Sequence, residues 1–356
     1  MREKHFCVDA RMVTASGIGN FITGVLPTLS NHYRTTLLCR AQDRPYLEDH
    51  FSSHLIEIKS PIYSLREQEE LARKIPAADF FWSPHFNIPL LPIRAKKRMT
   101  TIHDVYHLAF SSQFSWPQRG YATLMYNAAL LLSDLITTPS QFSKKEIEKY
   151  ALHKPKKIHV IPHGLTLIPE ENTPQDFLLF VGNLKAHKNL VRTVQAYRKL
   201  QLQEQLVIVG KREGLKHIDH ALFSLVESDP YLKEKILFTG YLSEQALSTY
   251  YSTAKILLFP SLYEGFGLPP LEAMACGCPV VAARTGSIPE VCLDAVEYVD
   301  PLSVDSIAEG IHSLLSNPQR RAELIERGKE RFKVFSIQKT AHNLLHLLEG
   351  REHLIN

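Results

Sequence analysis

The residues best placed to do chemistry are two carboxylates in one short stretch. Glu264 lies in Ser261-Leu262-Tyr263-Glu264-Gly265-Phe266-Gly267-Leu268, and Glu272 follows eight residues later in Leu268-Pro269-Pro270-Leu271-Glu272-Ala273. Gly265 and Gly267 let backbone approach a ligand closely, while Pro269 and Pro270 suit the first turn of a helix, where the missing N–H is not needed. A loop that runs into a helix N-terminus offers unpaired N–H groups at the positive end of the helix dipole, which favours an anion such as a phosphate. A carboxylate can accept two hydroxyls at once. Glu264 and Glu272, at two ends of one lip, therefore suit a polyhydroxylated ligand with a phosphate between its hydroxyl-bearing parts, the layout of a nucleotide sugar. The plainer reading makes Glu264 a solvated loop charge and Glu272 an acid that complements the helix dipole.

Strand–loop–helix units are expected to position these groups. The apolar run Ile256-Leu257-Leu258-Phe259 before Pro260 reads as a buried parallel strand that delivers the Glu264 loop. Phe177-Leu178-Leu179-Phe180-Val181 reads as another, with Gly182-Asn183 as its turn and Lys185-Ala186-His187-Lys188-Asn189 leading into a helix. Leu206–Val209 before Gly210 and Ile236–Gly240 complete this second set, and Lys211 and Arg212 follow as phosphate partners or surface charges. Helices are expected over 304–315 and 320–332, and another over 337–348 is apolar at nearly every turn, more than a free tail needs.

The first half repeats the pattern. His5–Ala10 is a strand, followed by a Gly-rich turn through Ser16-Gly17-Ile18-Gly19-Asn20 and a helix with Phe21, Val25, Leu26 and Leu29 on its apolar face. Gly17 and Gly19 would point amides at an anion. A dinucleotide fingerprint is excluded, because position 22 is Ile22 and no acid closes the next strand, Thr35–Arg40. Further strands are expected at 55–58, 79–82, 99–102, 134–138 and 157–164, with Ser140 and Ser143 capping a helix over 144–150. The strand Met99–Ile102 runs into His103-Asp104, and ligands of open α/β sheets sit beyond the carboxyl ends of strands. His103 is thus a hydrogen-bond donor to a ligand, or a strand-end histidine that bonds nearby backbone; His85 is a weaker candidate of the same kind.

The segment from Glu264 to Glu290 resembles the signature of the family 4 retaining glycosyltransferases, E-G-F-G-L-P-x-L-E, then A-x-A-x-G-x-P-V-V, then G-x-x-P-E. Here these read as Glu264–Glu272, the stretch through Gly277-Cys278-Pro279-Val280-Val281, and Gly286-Ser287-Ile288-Pro289-Glu290. Gly182 through Asn189 is similar to the family's G-x-L-x-x-R-K-N, with Lys188 in place and His187 where an arginine stands. Thr101-Ile102-His103-Asp104 resembles its T-x-H-D segment, and His163 precedes Gly164 where the family has Asn. The resemblance implies the α/β GT-B fold, two Rossmann-like domains facing each other across a cleft. The first domain would span 1–164, a linker 165–175 and the second 176–336, with helix 337–356 crossing back onto the first.

The same resemblance implies a hexosyltransferase that retains anomeric configuration by front-face attack. Lys188, with His187, Gly182 and the amides of Gly265, Phe266, Gly267 and Leu268, would bind the diphosphate; Gly17 and Gly19 would lean over it. Glu264 would orient the sugar, Glu272 the ribose, and His103 the sugar or phosphate. No Asp-x-Asp motif occurs, so no metal is expected, and no motif for a buried Schiff-base lysine is found, so no pyridoxal phosphate or other cofactor is expected either. The opening Val8-Asp9-Ala10-Arg11 and the Ser83–Asn87 segment resemble mannosyltransferases of surface polysaccharide and lipopolysaccharide assembly. GDP-mannose is accordingly the favoured donor, with UDP-hexoses and dTDP-rhamnose open, and a glycan or lipid-linked glycan the acceptor. A hydrolysing sugar-nucleotide epimerase and a degenerate nucleotide-sugar binding protein remain alternatives.

Composition fits a two-domain cytoplasmic enzyme. The chain has 356 residues, 44% hydrophobic and 22% charged, which suits two ordinary cores rather than disorder. Five scattered cysteines, with Cys276 and Cys278 too close for a zinc clip and read as small buried filler, suit a reduced compartment. Neither a signal peptide nor a membrane-spanning run is expected. Residues 1–169 carry 21 Lys+Arg against 14 Asp+Glu, and the remainder 20 against 23. The basic half favours an anionic acceptor or peripheral contact with an anionic membrane at its inner face, and nothing points to nucleic acid.

Overall fold

The computed structural model describes residues 4–166, 172–173, 175–210 and 220–355. Lys211 and Arg212, and most of the expected linker, lie outside the described residues. The chain divides into unit 1, Met1–Thr166 with Ser336–Asn356, and unit 2, Leu167–Phe335.

Unit 1 is built on seven parallel strands: β1 His5–Asp9, β2 Arg34–Cys39, β3 His54–Glu57, β4 Ala78–Ser83, β5 Ala95–Thr101, β6 Leu135–Thr138 and β7 Ile158–Val160. Their order is β3-β2-β1-β4-β5-β6-β7. The order reverses between β1 and β4, the switch point at which open α/β sheets open a crevice beyond the strand ends. Strands β1 and β4 are buried almost throughout, as central parallel strands must be. The last helix, Ile337–Leu348, puts Ala341, Leu344, Leu345 and Leu348 into the same core as Val25, Leu26 and Leu29 of helix Ser16–Ser30. Its apolar excess is thereby accounted for: the chain returns to unit 1 to bury it.

Three local expectations need correction. Helix Ser16–Ser30 begins at Ser16, so the Gly-rich turn expected before the helix forms its first turns, with Gly17 and Gly19 inside it. A Cβ at Gly19 would stand 2.2 Å from the Val13 carbonyl oxygen, so this glycine is there to let the preceding loop fold against the helix. Helix Gln141–Tyr150 is capped by Ser140, whose hydroxyl accepts the Ser143 N–H; Ser143 is helical and donates to the His103 carbonyl at 3.0 Å. Strand β5 begins at Ala95, four residues earlier than its apolar part, because Lys96 and Lys97 occupy its exposed end.

Unit 2 holds six parallel strands, β8 Phe177–Val181, β9 Gln205–Val209, β10 Ile236–Gly240, β11 Ile256–Phe259, β12 Val280–Ala283 and β13 Glu297–Val299. The order β10-β9-β8-β11-β12-β13 places a switch point between β8 and β11. The five apolar residues of β8 and four of β11 are all buried, which is why they lack the alternation of a half-exposed strand. Helices Leu190–Leu200 and Val304–Ser316 supply Val194, Tyr197, Ile307 and Ile311 to the core on one face. The three-residue β13 was not anticipated; it is too short to carry a periodic signal. Cys278 is buried as expected, whereas Cys276 is half-buried, and all five cysteines are free.

Candidate active site

In unit 2 the predicted residues converge on the switch point. Beyond β8, Ala186–Lys188 forms one 3-10 turn and Asn189 takes a left-handed conformation (φ 63°) before helix Leu190–Leu200. Buried Asn189 donates from Nδ2 to the carbonyls of Pro260 and Pro301, at 3.0 and 2.7 Å. That fastens the lysine turn to the end of β11. The His187 carbonyl accepts the Leu262 N–H at 2.8 Å. Lys188 Nζ consequently reaches Glu264 Oε1 at 2.6 Å and lies 5.5 Å from the centre of the Phe259 ring. Gly182 lies beneath the lysine stem; its Cβ position is 3.7 Å from Lys188 Cε.

The loop carrying Glu264 is held from below. Ser287 Oγ donates to the carbonyls of Glu264 and Phe266, at 3.0 and 2.8 Å. Gly286, at φ 61°, is pressed so close that a Cβ would lie 2.9 Å from the Glu264 carbonyl oxygen. Thus the G-x-x-P-E stretch works by backbone fit: glycine is needed for both conformation and space, and the serine after it pins the loop. Gly265 and Phe266 are buried, Gly267 (φ 100°) caps the helix and Leu268 begins it, so helix Leu268–Ala275 points its N-terminus at the loop that holds Glu264.

Glu272 sits one turn into that helix. Tyr251, fully buried on helix Glu244–Thr253, donates to Glu272 Oε2 at 2.7 Å. Burial pushes the Glu272 carboxyl up to about 7, outweighing the Tyr251 bond. A carboxylate kept at such cost in desolvation is a functional candidate in its own right. His187 goes the other way: burial, with Lys188 and Lys185 beside it, pushes it down to about 2. It is neutral at physiological pH and supplies no second positive charge in place of the family arginine.

Unit 1 treats its predicted histidine differently. His103 Nε2 is 2.8 Å from the Pro84 carbonyl, which can only accept, so Nε2 carries the proton. His103 Nδ1 then accepts from His163 Nε2 at 2.9 Å. Burial lowers the pKa of both rings. Both nitrogens of His103 are thus bonded within unit 1, and His163, which stands where the family pattern has Asn, is its partner. Gly17 and Gly19 lie in the first turns of helix Ser16–Ser30 of the same unit.

A polar cluster at the β1/β4 switch point had no counterpart in the expected site. Arg11, 1% exposed, pairs with Asp9 and Glu67, each at 2.6 Å. Glu67 Oε1 also accepts from Asn87 Nδ2 at 2.8 Å, and Tyr121 Oη donates to Asn87 Oδ1 at 2.5 Å. The advance signals were the V-D-A-R opening and the Ser83–Asn87 segment; Glu67 and Tyr121 gave none.

Known proteins decide the family. Residues 15–167 match the family model described as Glycosyltransferase Family 4, and residues 168–331 match that described as Glycosyl transferases group 1. The chain belongs to the family 4 glycosyltransferases. This glycosyltransferase is 29% identical to O-antigen chain mannosyltransferase B of Escherichia coli over 86% of its own length and 80% of the relative's. It is 28% identical to O-antigen chain mannosyltransferase RfbU of Salmonella typhimurium, over 61% of its length and 59% of the relative's. The crystal structure of HepE from Anabaena, in complex with UDP-glucose, superposes with a TM-score of 0.82 at 16% identity, covering 98% of this chain and all of that one. The glycosyltransferase accordingly has the GT-B fold and is a hexosyltransferase.

Proposed function

We propose that this glycosyltransferase transfers a mannosyl group, with retention and without a metal ion, from GDP-mannose to a hydroxyl of a glycan or lipid-linked glycan. The observation that carries the reading is the Lys188–Glu264 pair at 2.6 Å, joined to the N-terminus of helix Leu268–Ala275 by one short loop. An ammonium and free helix amides in one place suit the charge that grows on a departing diphosphate. The mannosyl preference rests on the relatives' names.

In this mechanism the acceptor oxygen bonds to the anomeric carbon on the face from which the diphosphate leaves. The acceptor's proton passes to a phosphate oxygen, so the nucleoside diphosphate departs protonated once and no enzyme nucleophile is needed. Lys188 and the amides of Gly265 to Leu268 stabilise the leaving group. Glu264 gives up part of its hold on Lys188 to accept sugar hydroxyls, and Glu272 accepts from the ribose. His103 enters as a neutral Nε2–H donor to the sugar or phosphate, released from the Pro84 carbonyl. No nucleophilic, metal or redox group is assigned a step.

Contact with an anionic membrane is part of the same proposal. Helix Trp116–Leu132 exposes Trp116, Leu124 and Leu131, at 84, 56 and 62%, on a unit with basic excess. Among the described residues no helix is long and apolar enough to cross a membrane. Co-sedimentation with anionic and neutral vesicles, for the wild type and Trp116→Ala, tests this part separately.

The donor test is thermal stabilisation by GDP, UDP, dTDP, ADP and their hexose conjugates, on the wild type and Glu272→Ala. A ligand at ~100 times its dissociation constant adds about 2.7 kcal/mol of apparent stability. The reading expects the guanosine compounds to lead and Glu272→Ala to abolish their effect. Stabilisation by another nucleotide overturns the donor, and stabilisation that survives Glu272→Ala overturns the site. Nucleotide release without any acceptor would make this a hydrolysing enzyme instead.

A further inference from the structure

The Arg11 cluster of unit 1 has a lid, and the lid is an unusual residue. Tyr63 is not glycine, yet its backbone is left-handed at φ 70°, a conformation that strains a bulky residue. Its N–H is tied to Glu67 Oε2 at 2.7 Å, so the same carboxylate that pairs with Arg11 holds the strained turn. The ring is 49% exposed. It lies against a floor of aromatic groups: His85 at 5.8 Å, Tyr121 at 6.0 Å and Phe86 at 6.3 Å between centroids. His85 accepts the Asn87 N–H at Nδ1, so its Nε2–H donates to Tyr63 Oη at 3.2 Å. Arg11 Nη1, buried beneath, has no hydrogen-bond partner.

These facts share one chemical sense. Asp9, Glu67 and Arg11 together carry one net negative charge in a buried place, so an anionic ligand is disfavoured. A hydroxyl-bearing ligand is favoured: Tyr63 Oη, exposed at the rim, accepts the His85 Nε2–H and keeps its own proton to give, while the sealed Arg11 group only supports the surface above it. A broad exposed ring presents a flat apolar face with a polar edge, which matches a pyranose, whose C–H groups lie on one face and hydroxyls around the rim. The location is the switch-point crevice of the β1/β4 sheet, where such folds bind ligands.

We propose that Tyr63 and the cluster Asp9, Arg11, Glu67 and Asn87 beneath it form a subsite for an uncharged pyranose of the acceptor glycan. Tyr63 is the platform on which the ring stacks, and the strained turn holds that platform outward. The proposal rests on the glycosyl-transfer reading but is confined to unit 1, and it commits the acceptor to a neutral sugar and not a phosphorylated headgroup.

The test is saturation-transfer NMR titration of the full chain with α-mannotriose and, separately, with mannose 6-phosphate. The variants are Tyr63→Phe, which keeps the platform, and Tyr63→Gly, which removes it while suiting the left-handed turn, so that folding is not impaired. Expected are binding of mannotriose by the wild type, retention within about threefold in Tyr63→Phe, and about tenfold or greater weakening in Tyr63→Gly, the loss of one aromatic contact. Mannotriose binding unchanged in Tyr63→Gly overturns the proposal, as does the absence of binding by the wild type or tighter binding of mannose 6-phosphate. Nucleotide stabilisation, read in the same variants, is expected to be unaffected; its absence in the wild type would count against the donor reading and not against this one.

Discussion

The two switch points of this molecule hold charge in opposite ways. In unit 2 the pair at the switch point, Lys188 with Glu264, is only partly covered, at 14 and 12% side-chain exposure, and is carried on loops fastened by backbone contacts. In unit 1 Arg11, Asp9 and Glu67 are sealed almost completely and tied to one another. A pair on a fastened loop can exchange its partner for a ligand without loss of fold, whereas a sealed triad is part of the fold and can act only through what lies on top of it. In the proposed mechanism Lys188 and Glu264 are therefore the groups that exchange partners with the donor, whereas Arg11 supports the aromatic surface above it.

The sharpest way to break this contrast is to remove each cation in turn. Arg11→Met leaves two buried carboxylates with no counter-charge, and removing one partner of a buried ion pair costs about 3–5 kcal/mol. Both tryptophans, Trp82 and Trp116, lie in unit 1, and Trp82 is fully buried, so urea unfolding followed by tryptophan fluorescence reads the loss directly. Should Arg11→Met unfold at the wild-type midpoint, the triad is not structural and the contrast fails.

Lys188→Ala is expected to do the reverse: little change in the unit 1 fluorescence transition, and a fall of about 10²–10³ in kcat, the scale of one lost stabiliser of transition-state charge. The measurement is nucleotide release under saturating donor and acceptor. A kcat within a few-fold of the wild type would show that the helix amides carry the leaving group alone.

Glu272 sharpens the same comparison from the side of pH. Its carboxyl rises from 4.5 to about 7 in the folded state, so the fold binds a proton that the unfolded chain has lost. The favourable contribution is complete below pH 4.5 and vanishes as pH rises through 7, by up to ~3 kcal/mol. Glu272→Gln keeps an acceptor for Tyr251 and removes the charge. It is expected to stabilise the ligand-free protein at pH 8, to be nearly neutral at pH 4.5, and to weaken nucleotide binding. Parallel Tm curves for the two proteins across that range would show that Glu272 is not held against its preference, and its claim to function would weaken.

The difference between the two sites also explains what could be read in advance. Unit 2's residues were legible because the motif is local: strand β11, the Glu264 loop, its helix and the Gly286-Ser287 support fall within 256–292, and each carries a residue type tied to a conformation. What escaped was side-chain support from elsewhere, Tyr251 under Glu272 and Asn189 across to Pro301, for which spacing gives no sign. Unit 1's strands were legible as apolar runs, but its cluster draws on Asp9, Glu67, Asn87 and Tyr121, brought together only by sheet order. The Gly-rich stretch at Gly17 and Gly19 was expected as a loop and is helical because a glycine that admits a neighbouring loop and one that belongs to a turn look alike in sequence.

His163 offers the smallest and most discriminating change. Its ring is neutral in the folded state, its pKa lowered well below 6.5 by burial and by His103. Below 6.5 the unfolded chain takes up a proton that the fold refuses, so stability is full above that value and falls as pH drops beneath it, by about 1.4 kcal/mol per pH unit. His163→Asn restores the residue of the family pattern, and its amide can still donate to His103 Nδ1. At pH 7.5 the variant is expected to lie within about 1 kcal/mol of the wild type, the scale of one exchanged hydrogen bond. At pH 5 it should be the more stable of the two, because one of the histidines that resist protonation is gone. Urea titrations at both pH values read this difference of differences, which an effect on overall packing would not produce. If the acid slope is unchanged, His163 takes up its proton in the fold as readily as in the unfolded chain, and His103 is not held by a neutral His163 donor.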